Sequence, residues 1–129
     1  MRSNEILIVE DDPIARRALQ SLFSSNGYPN RAVPSAEDAL NVLHKSDHPG
    51  IVLIDIDLPG MNGLDLLTRL QQEYPDLNCT LMSANDHALT RLGYRAVPFF
   101  PKPLDLRRLL SFLGAARSPA AASRGELHA

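Results

Sequence analysis

A chain of 129 residues has room for one folded domain with a substantial core, and not for two. With 44% hydrophobic and 22% charged residues it has the composition of an ordinary globular protein, and its net charge of −2 supplies no basic field for holding a nucleic-acid backbone. The single cysteine, Cys79, excludes an internal disulfide framework and suits a reduced, buried thiol in the cytoplasm, and no targeting or membrane-spanning stretch is visible.

In chain order, Ile6-Leu7-Ile8-Val9 is a short apolar run ending in acid, as expected of a strand buried on both faces of a parallel sheet. Asp12-Pro13 then offers an N-cap followed by proline at the first helical position. Ile14, Ala18, Leu19, Leu22 and Phe23 recur at helical spacing until Asn26-Gly27. A weak strand near Arg31 to Val33 leads to Ser35-Ala36-Glu37-Asp38, a capping-box-like start for a helix that turns Ala39, Leu40, Val42 and Leu43 inward. Pro49-Gly50 breaks the chain before Ile51 to Ile54, a second apolar run ending in acid, at Asp55. The stretch from Asp57 to Gly63 is rich in turn formers; Leu64, Leu67, Leu70 and Tyr74 mark the next helix, which Pro75 ends. Cys79 to Met82 reads as a strand, Ala84 to Leu92 as a short helix and Val97 to Phe100 as a strand. Leu106, Leu109, Leu110 and Leu113 form the face of a last helix. This alternation predicts a doubly wound α/β fold, a five-stranded parallel sheet with helices on both faces. Residues 1–115 are expected to form the domain, and the tail from 116 to 129, small and polar, a disordered stretch or linker stub.

In such a sheet the ligand site lies beyond the carboxyl ends of the strands. Glu10 and Asp11 follow the first strand, Asp55 ends the third, Ser83 ends the fourth and Lys102 follows the fifth. Converging carboxylates repel one another by about 4 kcal/mol per pair at ~4 Å when the effective dielectric is near ~20, so cations must offset them. Lys102 supplies one charge, and a hard divalent ion such as Mg²⁺, which accepts a few carboxylates, waters and a phosphate, supplies the rest. The set suits phosphoryl transfer, with Asp55 as nucleophile and Ser83 and Lys102 holding phosphoryl oxygens.

Four pieces of the chain carry a family resemblance: Ile-Leu-Ile-Val-Glu-Asp-Asp-Pro (6 to 13), Leu-Ile-Asp-Ile-Asp-Leu-Pro-Gly-Met-Asn-Gly (53 to 63), Met-Ser-Ala (82 to 84) and Lys-Pro (102 to 103). Together, from residue 5 to about 113, they resemble the receiver domains of two-component response regulators. The resemblance implies a flavodoxin-like sheet in the order 2-1-3-4-5, with Asp55 as phospho-acceptor and Glu10 and Asp11 as the acidic pair that positions Mg²⁺, Asp11 directly. It also implies a metal-binding backbone carbonyl at Asp57, a phosphate-contacting Ser83 and Lys102, and at Phe99 the aromatic that turns inward when the hydroxyl residue follows the phosphoryl group. The implied phosphodonor is a sensor histidine kinase or phosphotransfer protein, and the altered surface would bind or release a downstream protein, with no direct contact to nucleic acid or membrane. Such a domain is an enzyme only in phosphorylating and dephosphorylating itself.

The stretch from Ser83 to Lys102 is a few residues shorter than is usual in the family, with Gly93, Tyr94, Arg95 and Pro98 crowding it, which puts the form of the output face in question. Two other functions fit parts of the pattern. A phosphate-independent interaction module would keep the fold but lose Asp55, Lys102 or the acidic pair, and all are present. A Mg²⁺-dependent phosphatase would want a general acid two residues after its nucleophile, where Asp57 stands, yet the chain has no room for a cap domain. Asp12 is assigned to helix capping, Asn62-Gly63 to turn and helix entry, and His44, His48, His87 and His128 to solvent-exposed positions, since none is paired at metal-ligand spacing.

Overall fold

The computed structural model of the chain describes residues 4–45, 49–84 and 97–117. In chain order these form β1 (Ile6–Val9), α1 (Pro13–Ser25), β2 (Asn30–Val33), α2 (Ala36–Lys45), β3 (Ile51–Asp55), α3 (Gly63–Glu73), β4 (Asn78–Ser83), β5 (Phe99–Pro101) and α4 (Leu106–Arg117). The strands make one five-stranded sheet in the order β2-β1-β3-β4-β5, and each neighbouring pair is parallel. The helix expected over Ala84 to Leu92 and the tail from Ser118 lie outside the described residues, apart from Ala84 itself.

Side chains alternate across a strand, and here the alternation sorts the core into two layers. Leu7, Val9, Val52, Ile54, Cys79 and Leu81 pack with Ala39, Leu40 and Leu43 of α2 and Leu66, Leu67 and Leu70 of α3. Ile6, Ile8, Ile51, Leu53, Met82 and Phe100 pack on the other face with Leu19 and Phe23 of α1 and Leu109 and Leu113 of α4. Both faces of β1 and β3 are therefore covered, which is why these strands read as unbroken apolar runs. No helix among the described residues is long and apolar enough to cross a membrane.

Local chemistry sets the element ends. Asp12 caps α1, its side chain accepting the Ile14 N–H at 3.2 Å, with Pro13 behind it. At the other end Gly27, at φ 81°, lets the chain reverse so that the Tyr28 N–H returns to the Phe23 carbonyl at 2.8 Å. Asn62 caps α3 through the Asp65 N–H at 2.9 Å. β5 begins at Phe99, not at Val97 as expected, because Pro98 can offer only its carbonyl to β4, accepting the Leu81 N–H at 2.9 Å. Pro101 is tolerated at the end of the same strand because β5 is an edge strand.

Several positions of these apolar patterns, Val42 read as inward among them, are less covered than the pattern suggests. Ile14 is 78% exposed and Leu106 46% exposed: both stand in the first turn of their helices. On α3 the buried leucines are Leu66, Leu67 and Leu70, and Leu64 is only partly covered.

Candidate functional site

All five strands run parallel and so end at one edge of the sheet, and the loops that leave it are held by bonds that extend the ladder past the strands. The Glu10 N–H donates to the Val33 carbonyl at 3.1 Å, Ile56 to Met82 at 2.9 Å and Lys102 to Ser83 at 2.8 Å. Glu10, Asp55 and Lys102 are thus placed by backbone hydrogen bonds before their side chains meet, and the Lys102–Pro103 peptide is cis.

The Lys102 ammonium bridges two buried acids, 2.7 Å from Glu10 Oε1 and 3.0 Å from Asp55 Oδ2. Glu10 is 1% exposed and Asp55 3%. The second oxygen of each is also held: Glu10 Oε2 accepts the Asp12 N–H at 3.1 Å and Asp55 Oδ1 accepts the Asp57 N–H at 2.9 Å. Burial raises the Glu10 carboxyl above the usual glutamate value, with Asp55 adding to the rise, against the opposing pull of Lys102 and the Asp12 N–H. Burial pulls the Lys102 ammonium down, but its hydrogen bonds to Glu10 and Asp55 and their charges outweigh that and hold it above the usual lysine value.

Asp11 is exposed at the rim, and one carboxylate oxygen from each of Glu10, Asp11 and Asp55 lies within 4.8 Å of the others. Three hard oxygen donors facing a single ammonium are a donor set that a divalent cation fits, and this acidic cluster could bind one. Ser83, 1% exposed, sits at the end of β4, one residue beyond Met82, which is the register partner of Asp55. Its hydroxyl donates to Asp57 Oδ2 at 2.8 Å, which joins Ser83 to Asp57. Phe99 is partly buried against the α2/α3 layer.

Some contributors escape a reading of the sequence. Arg16 of α1 reaches back to the acidic turn, its Nη1 donating to the carbonyls of Glu10 at 2.9 Å and Asp11 at 3.3 Å. In sequence it is one of two adjacent arginines on a helix face, indistinguishable from a solvated surface. Gly63, read as turn chemistry, is also a packing requirement: a Cβ there would stand 2.3 Å from the Asp55 carbonyl oxygen and 2.6 Å from Ile56 Cα. Glu37 of α2 receives the Met61 N–H at 3.3 Å, tying down the loop after β3 from 24 residues away. Beside Lys102 a cleft of about 330 Å³ runs between α1 and the start of α4, lined by Glu10, Ala15, Ala18, Leu19, Pro103 and Leu104 among others.

The family model described as the response regulator receiver domain matches residues 6–113. FleR, a response regulator protein of Pseudomonas aeruginosa, is 36% identical over 112 residues, covering 84% of this chain and 24% of FleR. NtrC of Proteus hauseri, a DNA-binding transcriptional regulator, is 32% identical over 116 residues, covering 88% of this chain and 24% of NtrC. The response regulator MprA of Mycolicibacterium vanbaalenii is 32% identical over 109 residues, 47% of its own length, so the chain spans from about a quarter to about half of these curated relatives. Among solved structures, the signal receiver domain of an HD domain-containing protein from Pseudomonas fluorescens Pf-5 aligns with a TM-score of 0.81 at 28% identity, over 89% of this chain and 94% of that one. The response regulator TrrA of Thermotoga maritima, solved in complex with Mg²⁺-BeF, shares the fold with a TM-score of 0.80 at 24% identity, over 90% of this chain and 99% of its own. Sheet order, acidic edge and a family match across most of the chain lead to one conclusion: this chain belongs to the family of response regulator receiver domains.

Proposed function

We propose that this receiver domain is a phosphorylation switch whose phospho-acceptor is Asp55. The observation that carries the reading is the state of the Asp55 carboxylate: buried, aligned by Lys102 on one oxygen and by the Asp57 N–H on the other, with Glu10 and Asp11 alongside. A carboxylate oxygen of Asp55 attacks the phosphorus of a phosphohistidine presented by a sensor kinase or phosphotransfer protein. The O–P bond forms as the P–N bond breaks, and the imidazole leaves with the electron pair and takes up a proton. Lys102, already against Asp55, holds a phosphoryl oxygen, and Ser83 provides a hydroxyl to another. Glu10, Asp11, Asp55 and the backbone carbonyl of Asp57 would hold Mg²⁺, which when bound neutralises charge on the phosphoryl oxygens. The Mg²⁺-BeF in the TrrA structure belongs to that protein and is in keeping with this assignment.

The output is made by contact with a partner protein whose affinity differs between the two states of Ser83 and Phe99. DNA binding, named for NtrC, is not assigned to this domain, which spans 24% of that protein. A cytoplasmic setting, with Cys79 buried and reduced, is part of the same reading.

Intact-mass analysis after incubation with phosphoramidate, with and without Mg²⁺, tests it on wild type and Asp55→Ala. One added phosphoryl group that requires both Mg²⁺ and Asp55 is the expected result. A folded wild type that takes up none would favour a phosphate-independent interaction module, and turnover of a generic phosphate ester would favour a phosphatase.

A further inference from the structure

Asp57 is tied to both ends of the switch at once. Its backbone N–H donates to Asp55 Oδ1 at 2.9 Å, and its carboxylate accepts the buried Ser83 hydroxyl at 2.8 Å. A serine hydroxyl has one proton to donate, so while it points to Asp57 it is withheld from a phosphoryl oxygen on Asp55. Ser83 itself is anchored, its carbonyl accepting the Lys102 N–H at 2.8 Å, so the conflict is settled by which acceptor the hydroxyl chooses. A bond to a carboxylate is stronger than one to a neutral acceptor, so the phosphoryl group must compete for the hydroxyl with a charged partner.

Accepting the phospho-acceptor reading of Asp55, we propose that Asp57 is a positioning residue that latches Ser83 in the resting state, so that phosphorylation must displace a carboxylate before the hydroxyl can join the phosphoryl group. The residue that makes the loop amide available to Asp55 therefore also sets the threshold of the switch. Asp57 lies at the exposed mouth of the site, where its replacement leaves the core untouched.

The test is the rate of phosphorylation by phosphoramidate at saturating Mg²⁺, followed by intact mass, for Asp57→Ala, Asp57→Asn, Ser83→Ala and the double variant Asp57→Ala/Ser83→Ala. Removing the latch should speed phosphorylation by roughly tenfold, the scale of one hydrogen bond to a charged group. Asp57→Asn keeps an acceptor oxygen, weaker than the carboxylate, and should fall between the wild-type rate and that of Asp57→Ala. In the Ser83→Ala background the Asp57→Ala gain should vanish. A gain that persists without Ser83, or an asparagine variant as fast as alanine, would assign the effect to charge alone and overturn the latch, as would no gain at all. Thermal melts of unphosphorylated wild type, Asp57→Ala, Ser83→Ala and the double variant should show non-additive losses at the two positions; additive losses would also overturn it. Wild type without any adduct at Asp55 would strike the phospho-acceptor reading itself, and the latch would fall with it.

Discussion

At the scale of single residues, the site concentrates like charge where water is scarce. Glu10 and Asp55 share one ammonium, and Glu10 is raised by burial before any ion is considered. Removing one carboxylate while keeping its shape relieves this, so Asp55→Asn should lose phosphorylation yet raise the melting temperature by several degrees in EDTA. A melting temperature that falls would mean that the Lys102 bond outweighs the repulsion. Gly63 is constrained from the other side of the same strand end. A methyl group at 2.3 Å from the Asp55 carbonyl oxygen can be accommodated only by moving backbone, so Gly63→Ala should cost about 2–3 kcal/mol and slow phosphorylation as the Asp55 peptide shifts. Gly27 provides the contrast: its surroundings are open, and Gly27→Ala should cost only about 1 kcal/mol through its positive φ. Urea titrations of the two variants would measure the difference.

At the scale of elements, the helices are fastened to the sheet by packing and to one another by a few polar contacts. The chief example joins α2 and α3, where Glu73 receives Arg69 Nε at 2.6 Å and stands 3.5 Å from His44 Nε2. The Arg69 hydrogen bond holds the Glu73 carboxyl below the usual glutamate value. A carboxyl lowered in the folded state adds stability above its unfolded value of 4.5, and that contribution disappears as pH falls through the depressed value. Wild type should therefore melt slightly above Glu73→Gln at neutral pH and level with it in strong acid. The margin is small because the pair is solvent-screened. Equal melting temperatures at every pH would show the contact to be without energetic consequence. The same scale explains the shift on α3: Asn62 caps the helix, so its buried face starts at Gly63 and continues through Leu66, Leu67 and Leu70.

At the scale of the whole molecule, two apolar layers enclose the sheet and leave its acidic edge open, and among the described residues the large apolar side chains left exposed are Ile14 and Leu106. Each stands in the first turn of its helix; Leu106 lines the cleft that holds Glu10 and Lys102 in its wall, and Ile14 lies between Asp12 and Ala15, which line it too, so under the phospho-acceptor reading of Asp55 a protein donor would approach past them. Ile14→Arg should leave phosphorylation by phosphoramidate unchanged while slowing transfer from a protein donor by about tenfold or more, the effect of placing a charge in an apolar contact. Equal slowing with both donors would place Ile14 in the chemistry instead of the docking.

Much of this was legible in the order of residues. Apolar runs ending in Glu10-Asp11 and Asp55, caps at Asp12 and Asn62 and the stop at Gly27 are local signals, because hydrophobic period and capping act within a few positions. They determined the α/β class, most of the elements and which acids and lysine reach one edge. The tertiary structure decided what depends on distance across the fold. It decided that the Ser83 hydroxyl meets the Asp57 carboxylate, that Arg16 holds the acidic turn from behind and that Gly63 must stay bare against Asp55. It also decided that Ile14 and Leu106 face outward. A helical period marks a residue as apolar in register, but only the sheet's finite width determines whether anything lies opposite it to cover it.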